Sequence, residues 1–170
     1  YKHQWIVAEA ISQLRLEGFP VTLTMIGPPD RGLSRLRKVM KQLDPRGEFL
    51  IYLGARSRAQ ILQQYQISDV GVFASSCENM PNILLEMMAS GLPIACSNRS
   101  PMPEILKNSG IYFDPENSDD IAKGISKLLF SKEIRAKIAK SGFETAQTFS
   151  WNRCARDTFL FLAKVANQSS

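Results

Sequence analysis

Asp69-Val70-Gly71-Val72-Phe73-Ala74-Ser75-Ser76-Cys77-Glu78-Asn79-Met80-Pro81-Asn82-Ile83-Leu84-Leu85-Glu86-Met87-Met88-Ala89-Ser90-Gly91-Leu92-Pro93-Ile94-Ala95 changes its hydrophobic period twice. Residues 70–74 form a short apolar run that reads as a buried strand, and residues 75–80 form a polar loop. Residues 81–90 form a helix closed by Gly91, with Leu84, Met87, Met88 and Gly91 as its stripe at helical spacing, and residues 93–97 are a second apolar strand. Two apolar strands joined through an amphipathic helix make the unit of a parallel sheet covered on both faces.

The same alternation runs outward in both directions. Trp5, Ala8, Ile11 and Leu14 mark a helix over residues 4–17, stopped by Gly18. A strand over 21–26 ends at Gly27-Pro28-Pro29, and a helix through Leu33, Leu36, Met40 and Leu43 is broken by Asp44-Pro45-Arg46-Gly47. A strand over 49–53 exits through residues 54–57, with Ser57 as N-cap of a helix over 58–66. Beyond the opening stretch come a short turn of helix at 103–106, a strand at 111–113, and helices near 118–130, 132–148 and 151–166. The expected fold is a doubly wound, Rossmann-like α/β domain with C-terminal helices, residues 1–170 forming one domain. The pattern starts on a helix although a right-handed β-α-β crossover needs a strand on each side, so a first strand is expected upstream.

Composition narrows the function classes. With 170 residues, 44% hydrophobic and 22% charged, the chain is an ordinary globular domain, neither disordered nor disulfide-dense. No apolar run approaches the roughly 18 residues of a membrane span. The start, Tyr1-Lys2-His3-Gln4-Trp5, has no Met and no signal-type block, and reads as a boundary inside a longer protein. Three cysteines, Cys77, Cys96 and Cys154, form no CxxC pair and are expected reduced and mostly in the core. His3 is the sole histidine, which argues against a zinc site or a Ser-His or Cys-His catalytic pair. The net charge of +5 raises the question of an anionic partner, but Arg31, Arg35, Arg37, Lys38 and Lys41 fall on one helix and read as its solvated face; no nucleic-acid partner is expected.

In an open parallel sheet ligands bind outside the carboxyl ends of the strands. Four loops lie there: 27–29, 54–57, 75–82 and 97–104. The third concentrates polar side chains and a carboxylate between two buried elements. Pro81 suits the first helical position, where its missing N–H costs nothing, and the N–H groups of Asn82, Ile83 and Leu84 then present an anion site of the kind that takes phosphate. Asn82 and Glu86, four residues apart, share the face opposite the core stripe. A carboxylate beside a phosphate site suits a pair of hydroxyls, as on a ribose; a capping or surface role is the plainer reading of the same spacing. A glycosidase pair is disfavoured, because Pro81 makes Glu78 a loop residue and nothing requires the roughly 5–9 Å carboxyl separation. No G-x-G-x-x-G or G-x-x-x-x-G-K-[ST] follows any strand, so a nicotinamide-dependent dehydrogenase and a P-loop NTPase both lose their signature.

These residues resemble a known family. The stretch from Asp69 to Ala95 is similar to the E-x7-E signature of retaining glycosyltransferases of the GT-B fold, glycosyltransferase family 4. Residues 23–27 and Ile51-Tyr52-Leu53-Gly54 resemble its strands ending in Gly, Pro101-Met102-Pro103-Glu104-Ile105 its P-E-[IV] element, and Phe149-Ser150-Trp151 the entry to its last helix. The resemblance implies the C-terminal, donor-binding domain of a two-domain enzyme, without its first strand and its N-terminal acceptor domain.

By that resemblance Glu86 binds ribose hydroxyls of a nucleotide-sugar and Glu78, the catalytic candidate, faces the donor sugar. The backbone around Asn79, Met80, Pro81, Asn82 and Ile83 holds sugar hydroxyls and diphosphate. Gly27 and Arg56 line the nucleotide, and Lys2 neutralises the diphosphate. Asn79 and Pro81 stand where many relatives carry Gly. The implied reaction is a front-face displacement with retention, helped by cations and a helix end; no Asp-x-Asp occurs, and neither metal nor other cofactor is expected. The implied partners are a nucleotide-sugar donor and a glycan or lipid-linked acceptor, in the cytoplasm, with association to the inner membrane face left open by the positive charge. The 170 residues alone are expected to bind donor without transferring sugar. A nucleotide-sugar epimerase of the same fold and a non-catalytic nucleotide-binding module are the rival readings. Trp151, Phe159, Phe161 and Leu162 are expected either in the core or on a helix crossing to the other domain.

Overall fold

The structure, a computed structural model, describes residues 1–168. It follows the expected alternation: α1 (Gln4–Leu16), β1 (Leu23–Ile26), α2 (Leu33–Leu43), β2 (Leu50–Gly54), α3 (Arg58–Ile67), β3 (Gly71–Phe73), α4 (Asn82–Ala89), β4 (Ile94–Ser97), α5 (Met102–Leu106), β5 (Ile111–Phe113), α6 (Ser118–Phe130), α7 (Lys132–Ala146) and α8 (Trp151–Gln168). Every strand pair is parallel. Hydrogen bonding divides the strands into a two-stranded sheet, β1-β2, and a three-stranded sheet in the order β3-β4-β5, so among the described residues β1, β2, β3 and β5 each keep one edge without a strand partner.

Side chains alternate across the three-stranded sheet with the period of two that a pleated strand imposes. Val72, Ala74, Ala95, Ile111 and Phe113 enter one core with α1 and α6, which also takes Leu23 and Leu50 of the other sheet. Phe73, Ile94, Cys96 and Tyr112 enter a second core on the opposite face, with Leu84, Met87 and Met88 of α4, Met102 and Leu106 of α5 and Ala146 of α7. Burial on both faces explains why β4 is apolar from Ile94 to Cys96 and buried along its whole length, including its terminal Ser97.

Local chemistry sets the helix ends. Ser57 and Gln60 form a reciprocal capping box at α3, Asn117 accepts from the Asp119 and Asp120 N–H groups at α6, and Ser131 accepts from Ile134 N–H at α7. Asp44, at the end of α2, accepts from the N–H groups of Glu48, Phe49 and Leu50 at 2.8–2.9 Å and thereby fixes the entry to β2. Burial alone would raise the Asp44 carboxyl, but the backbone donors from Phe49, Leu50, Glu48 and Gly47 outweigh it and hold it below the ordinary 3.8.

Three expectations need correction. Of the three cysteines only Cys96 is buried; Cys77 lies exposed in a polar loop and Cys154 exposed on α8. Gly91 is not part of the core stripe but an exposed turn residue after α4, at φ +74, where a side chain would be strained. Trp151, Phe159, Phe161 and Leu162 do not pack in the core: α8 buries no residue, and Trp151 is 80% exposed. The five basic residues of the α2 region are solvent-facing, as expected.

Candidate functional site at the carboxyl edge of the strands

Parallel pairing puts the exits of all five strands on one side of their sheets, which brings the four candidate loops to that edge. Gly27, half-buried, follows β1; its N–H donates to Gly54 O at 3.1 Å and its carbonyl accepts from the Tyr52 hydroxyl at 2.8 Å. Two strand exits are thereby tied together, with Gly54 in the left-handed region at φ +72. Arg56 is exposed just beyond, its guanidinium donating to Ala55 O.

The loop after β3 runs from buried Ser75 to buried Pro81. Glu78 is half-buried, and Asn79, Met80, Asn82 and Ile83 are exposed. Pro81 does not open the helix: at φ −78 and ψ 75 it is the N-cap, and α4 begins at Asn82. The Asn82 N–H donates back to Met80 O at 2.9 Å and Leu85 N–H to Pro81 O at 3.2 Å. The helix end therefore presents Ile83 and Leu84 N–H, two donors rather than three, with the positive end of the helix dipole behind them.

Glu86 projects from the exposed face of α4, as the spacing requires. It lines a cleft of about 330 Å³ together with Ala89 of α4, Ser90 just after it, and Arg58, Ile61 and Leu62 of α3. That volume lies at the lower end of small-molecule sites. Arg58, Ile61 and Leu62 were not singled out from sequence; their spacing puts them on one helical face, but only the packing of α3 against α4 turns it toward Glu86. Tyr65, one turn further along α3, is pushed up to about 12, by burial first and by the Glu86 carboxylate second, so its hydroxyl keeps its proton. Among the described residues neither Glu78 nor Glu86 is held in an ion pair or a side-chain hydrogen bond. In the fourth loop Arg99 is held by Asp114 at 3.1 Å and by Glu116 at 3.6 Å.

The start of the chain joins this edge. Tyr1 O accepts from Ser76 N–H at 2.8 Å, which places half-buried Lys2 beside the loop that carries Glu78. His3 meets a serine that lies far from it in sequence: its Nε2 lies 2.8 Å from Ser76 Oγ, across 73 positions. Burial is the main cause holding His3 below 6.5, with Arg35 acting the same way and Glu116 and Asp114 opposing them. The His3 ring meets Trp5 edge-on at 5.9 Å, and the Arg35 guanidinium stacks on Trp5 at 4.2 Å. Gly27, Arg56, Lys2 and residues 78–83 are thus near strand exits but outside the walls of the Glu86 cleft. Among the described residues no three His, Cys, Asp or Glu side chains gather as a metal-ligand group, and no helix is long and apolar enough to cross a membrane.

Residues 1–145 match the family model described as Glycosyl transferases group 1. Spore coat protein SA of Bacillus subtilis is 32% identical over 161 residues, which cover 89% of this chain and 43% of that protein. O-antigen chain mannosyltransferase B of Escherichia coli is 30% identical over 123 residues, 71% of this chain and 32% of that protein. The chain thus spans less than half the length of either relative. Among solved structures, the C-terminal domain of the glycosyl transferase group 1 family protein LpcC from Francisella tularensis superposes with a TM-score of 0.74 at 27% identity, covering 86% of this chain and 78% of that one. Anabaena Alr3699/HepE, solved in complex with UDP, shares the fold with a TM-score of 0.82 at 22% identity, covering 96% of this chain and 45% of that one.

Proposed function

The chain belongs to the glycosyl transferases group 1 family, with a mixed α/β fold whose structural neighbours are GT-B glycosyltransferases, and from that premise we propose that it is the donor-binding domain of a retaining, metal-independent glycosyltransferase of family 4. The observation that carries this reading is the cleft between α3 and α4, with Glu86 on its wall; the open end of α4 lies one turn before Glu86 on the same helix. Glu86 takes the ribose hydroxyl pair, and Ile61 and Leu62 supply an apolar wall for the base. The Ile83 and Leu84 N–H groups, with Lys2, face the diphosphate. Glu78 faces the donor sugar.

The reaction transfers a hexose from a nucleoside diphosphate to a glycan or lipid-linked acceptor. The anomeric carbon–oxygen bond to the diphosphate breaks, a bond to the acceptor oxygen forms on the same face, and the acceptor proton passes to a diphosphate oxygen. The protein's main task is to stabilise charge developing on the leaving group, which a cation and a helix end supply without a metal. An acceptor domain completes the enzyme, which works at the cytoplasmic side. The split into two sheets, which leaves β1 and β3 each with an open edge, is compatible with a further strand between them.

Titration of the full-length protein with UDP, GDP and ADP tests the reading. One of the three binds, and Glu86→Ala weakens it by about 1–3 kcal/mol, roughly 5- to 150-fold, as loss of hydrogen bonds to a charged group requires. Equal affinity in the variant removes the ribose assignment.

A further inference from the structure

The loop of residues 75–81 carries the sugar-facing Glu78, yet its hydrogen bonding to the rest of the protein is sparse. Apart from the turn that opens α4 and a bond from Ser75 Oγ to Cys77 O within the loop, all of its hydrogen bonds among the described residues run from one residue, Ser76, to Tyr1 and His3 at the start of the chain. Ser76 N–H donates to Tyr1 O at 2.8 Å, Ser76 Oγ donates to the same carbonyl at 3.4 Å, and Ser76 Oγ lies 2.8 Å from His3 Nε2. We propose that His3 is a positioning residue that clamps Ser76 and so sets the Glu78 loop against the entry to α1.

Three observations converge on His3. It is 8% exposed, while its chain neighbours Lys2 and Gln4 and its partner Ser76 are only half-buried. It sits at φ 45 and ψ 28, a left-handed conformation that favours glycine, so the side chain is kept at some backbone cost. Its ring also makes an edge contact with Trp5, whose own face carries the Arg35 guanidinium. A continuous stack from α2 through α1 therefore ends on Ser76, two residues before Glu78. His3 touches no reacting atom in this account; it acts through Ser76, and the inference rests on the donor-site reading given above.

The backbone conformation makes the test clean, because His3→Gly relieves the left-handed strain while deleting the clamp. The full-length protein and its His3→Gly and Ser76→Ala variants are titrated with UDP, GDP and ADP and with UDP-glucose, GDP-mannose and ADP-glucose. Both variants keep the nucleoside diphosphate affinity of the parent within about threefold and lose at least tenfold on the matching sugar conjugate, because the loop serves the sugar and the cleft serves the nucleoside. Without ligand, the amides of residues 75–80 exchange faster in His3→Gly. Unchanged affinity for the sugar conjugate overturns the proposal, as does an equal loss for both ligands, which marks a merely structural role. If the parent binds none of the nucleotides, the donor reading falls; unchanged amide exchange in His3→Gly then separately removes the clamp.

Discussion

Asp44→Ala is expected to destabilise the chain by about 3 kcal/mol, because the Glu48, Phe49 and Leu50 N–H groups that its carboxylate satisfies are left without acceptors and two of those bonds are buried. For a chain of this size that lowers the melting temperature by roughly 6–12 °C. The pH dependence identifies the cause. The folded carboxyl lies below its ordinary 3.8, so the unfolded state binds more protons as acid is added. The Asp44 contribution is therefore complete above pH 3.8 and is lost as the pH falls through the folded value. Urea unfolding of parent and variant between pH 3 and 7 should converge toward the acid end; a constant difference across the range would contradict the carboxylate explanation. Since Asp44 sets the entry to β2, whose exit carries Gly54 and Arg56, its loss is felt at the candidate site as well.

Met88→Ala is expected to cost about 2–5 kcal/mol, the range for truncating a fully buried long side chain. Met88 is 0% exposed in the core shared by α4, α5 and α7, and its chain passes close to Gly142 on α7. That glycine leaves room for the thioether but has no side chain to collapse into the space it vacates. Urea midpoints measure the effect; a loss below about 1 kcal/mol would mean that α4 resettles onto α7 without a cavity. Because Met88 and Glu86 lie on opposite faces of the same short helix, Met88→Ala should loosen the cleft wall and weaken nucleotide binding as a secondary consequence.

Most of the architecture was legible before any coordinates, because strands buried on two faces and helices buried on one leave different periods in the chain. The run at β3 and the stripe Leu84, Met87 and Met88 on α4 fall where their spacing puts them. Local chemistry was equally readable at Ser57, where one cap and a glutamine three residues on suffice. Pro81 was misread because its fixed φ suits a helix, while its ψ of 75 is set by the loop it closes. The cysteines were misread for a related reason: composition says that thiols are buried on average, and only topology says that Cys77 and Cys154 are not.

What the sequence could not show is how separate elements meet. The face of Arg58, Ile61 and Leu62 becomes one wall of a cleft only because α3 packs beside α4. His3 looked chemically idle as a lone histidine, since its partner Ser76 lies 73 residues away and adjoins it only once α1 and β3 share an edge. The exposed α8 shows the converse case: its pattern of Trp151, Phe159 and Leu162 is amphipathic whether or not the described residues offer it a partner.

The central claim is that a nucleoside diphosphate occupies the α3–α4 cleft and the open end of α4. Amide hydrogen exchange on the full-length protein, with and without saturating nucleoside diphosphate, addresses it residue by residue. The account predicts slowed exchange at Ile83 and Leu84 and along residues 56–62, with little change elsewhere in the domain. Protection centred on the groove between α1 and α6, lined by Gln13, Asp119 and Lys123, with residues 56–62 and 83–84 unaffected, would contradict it.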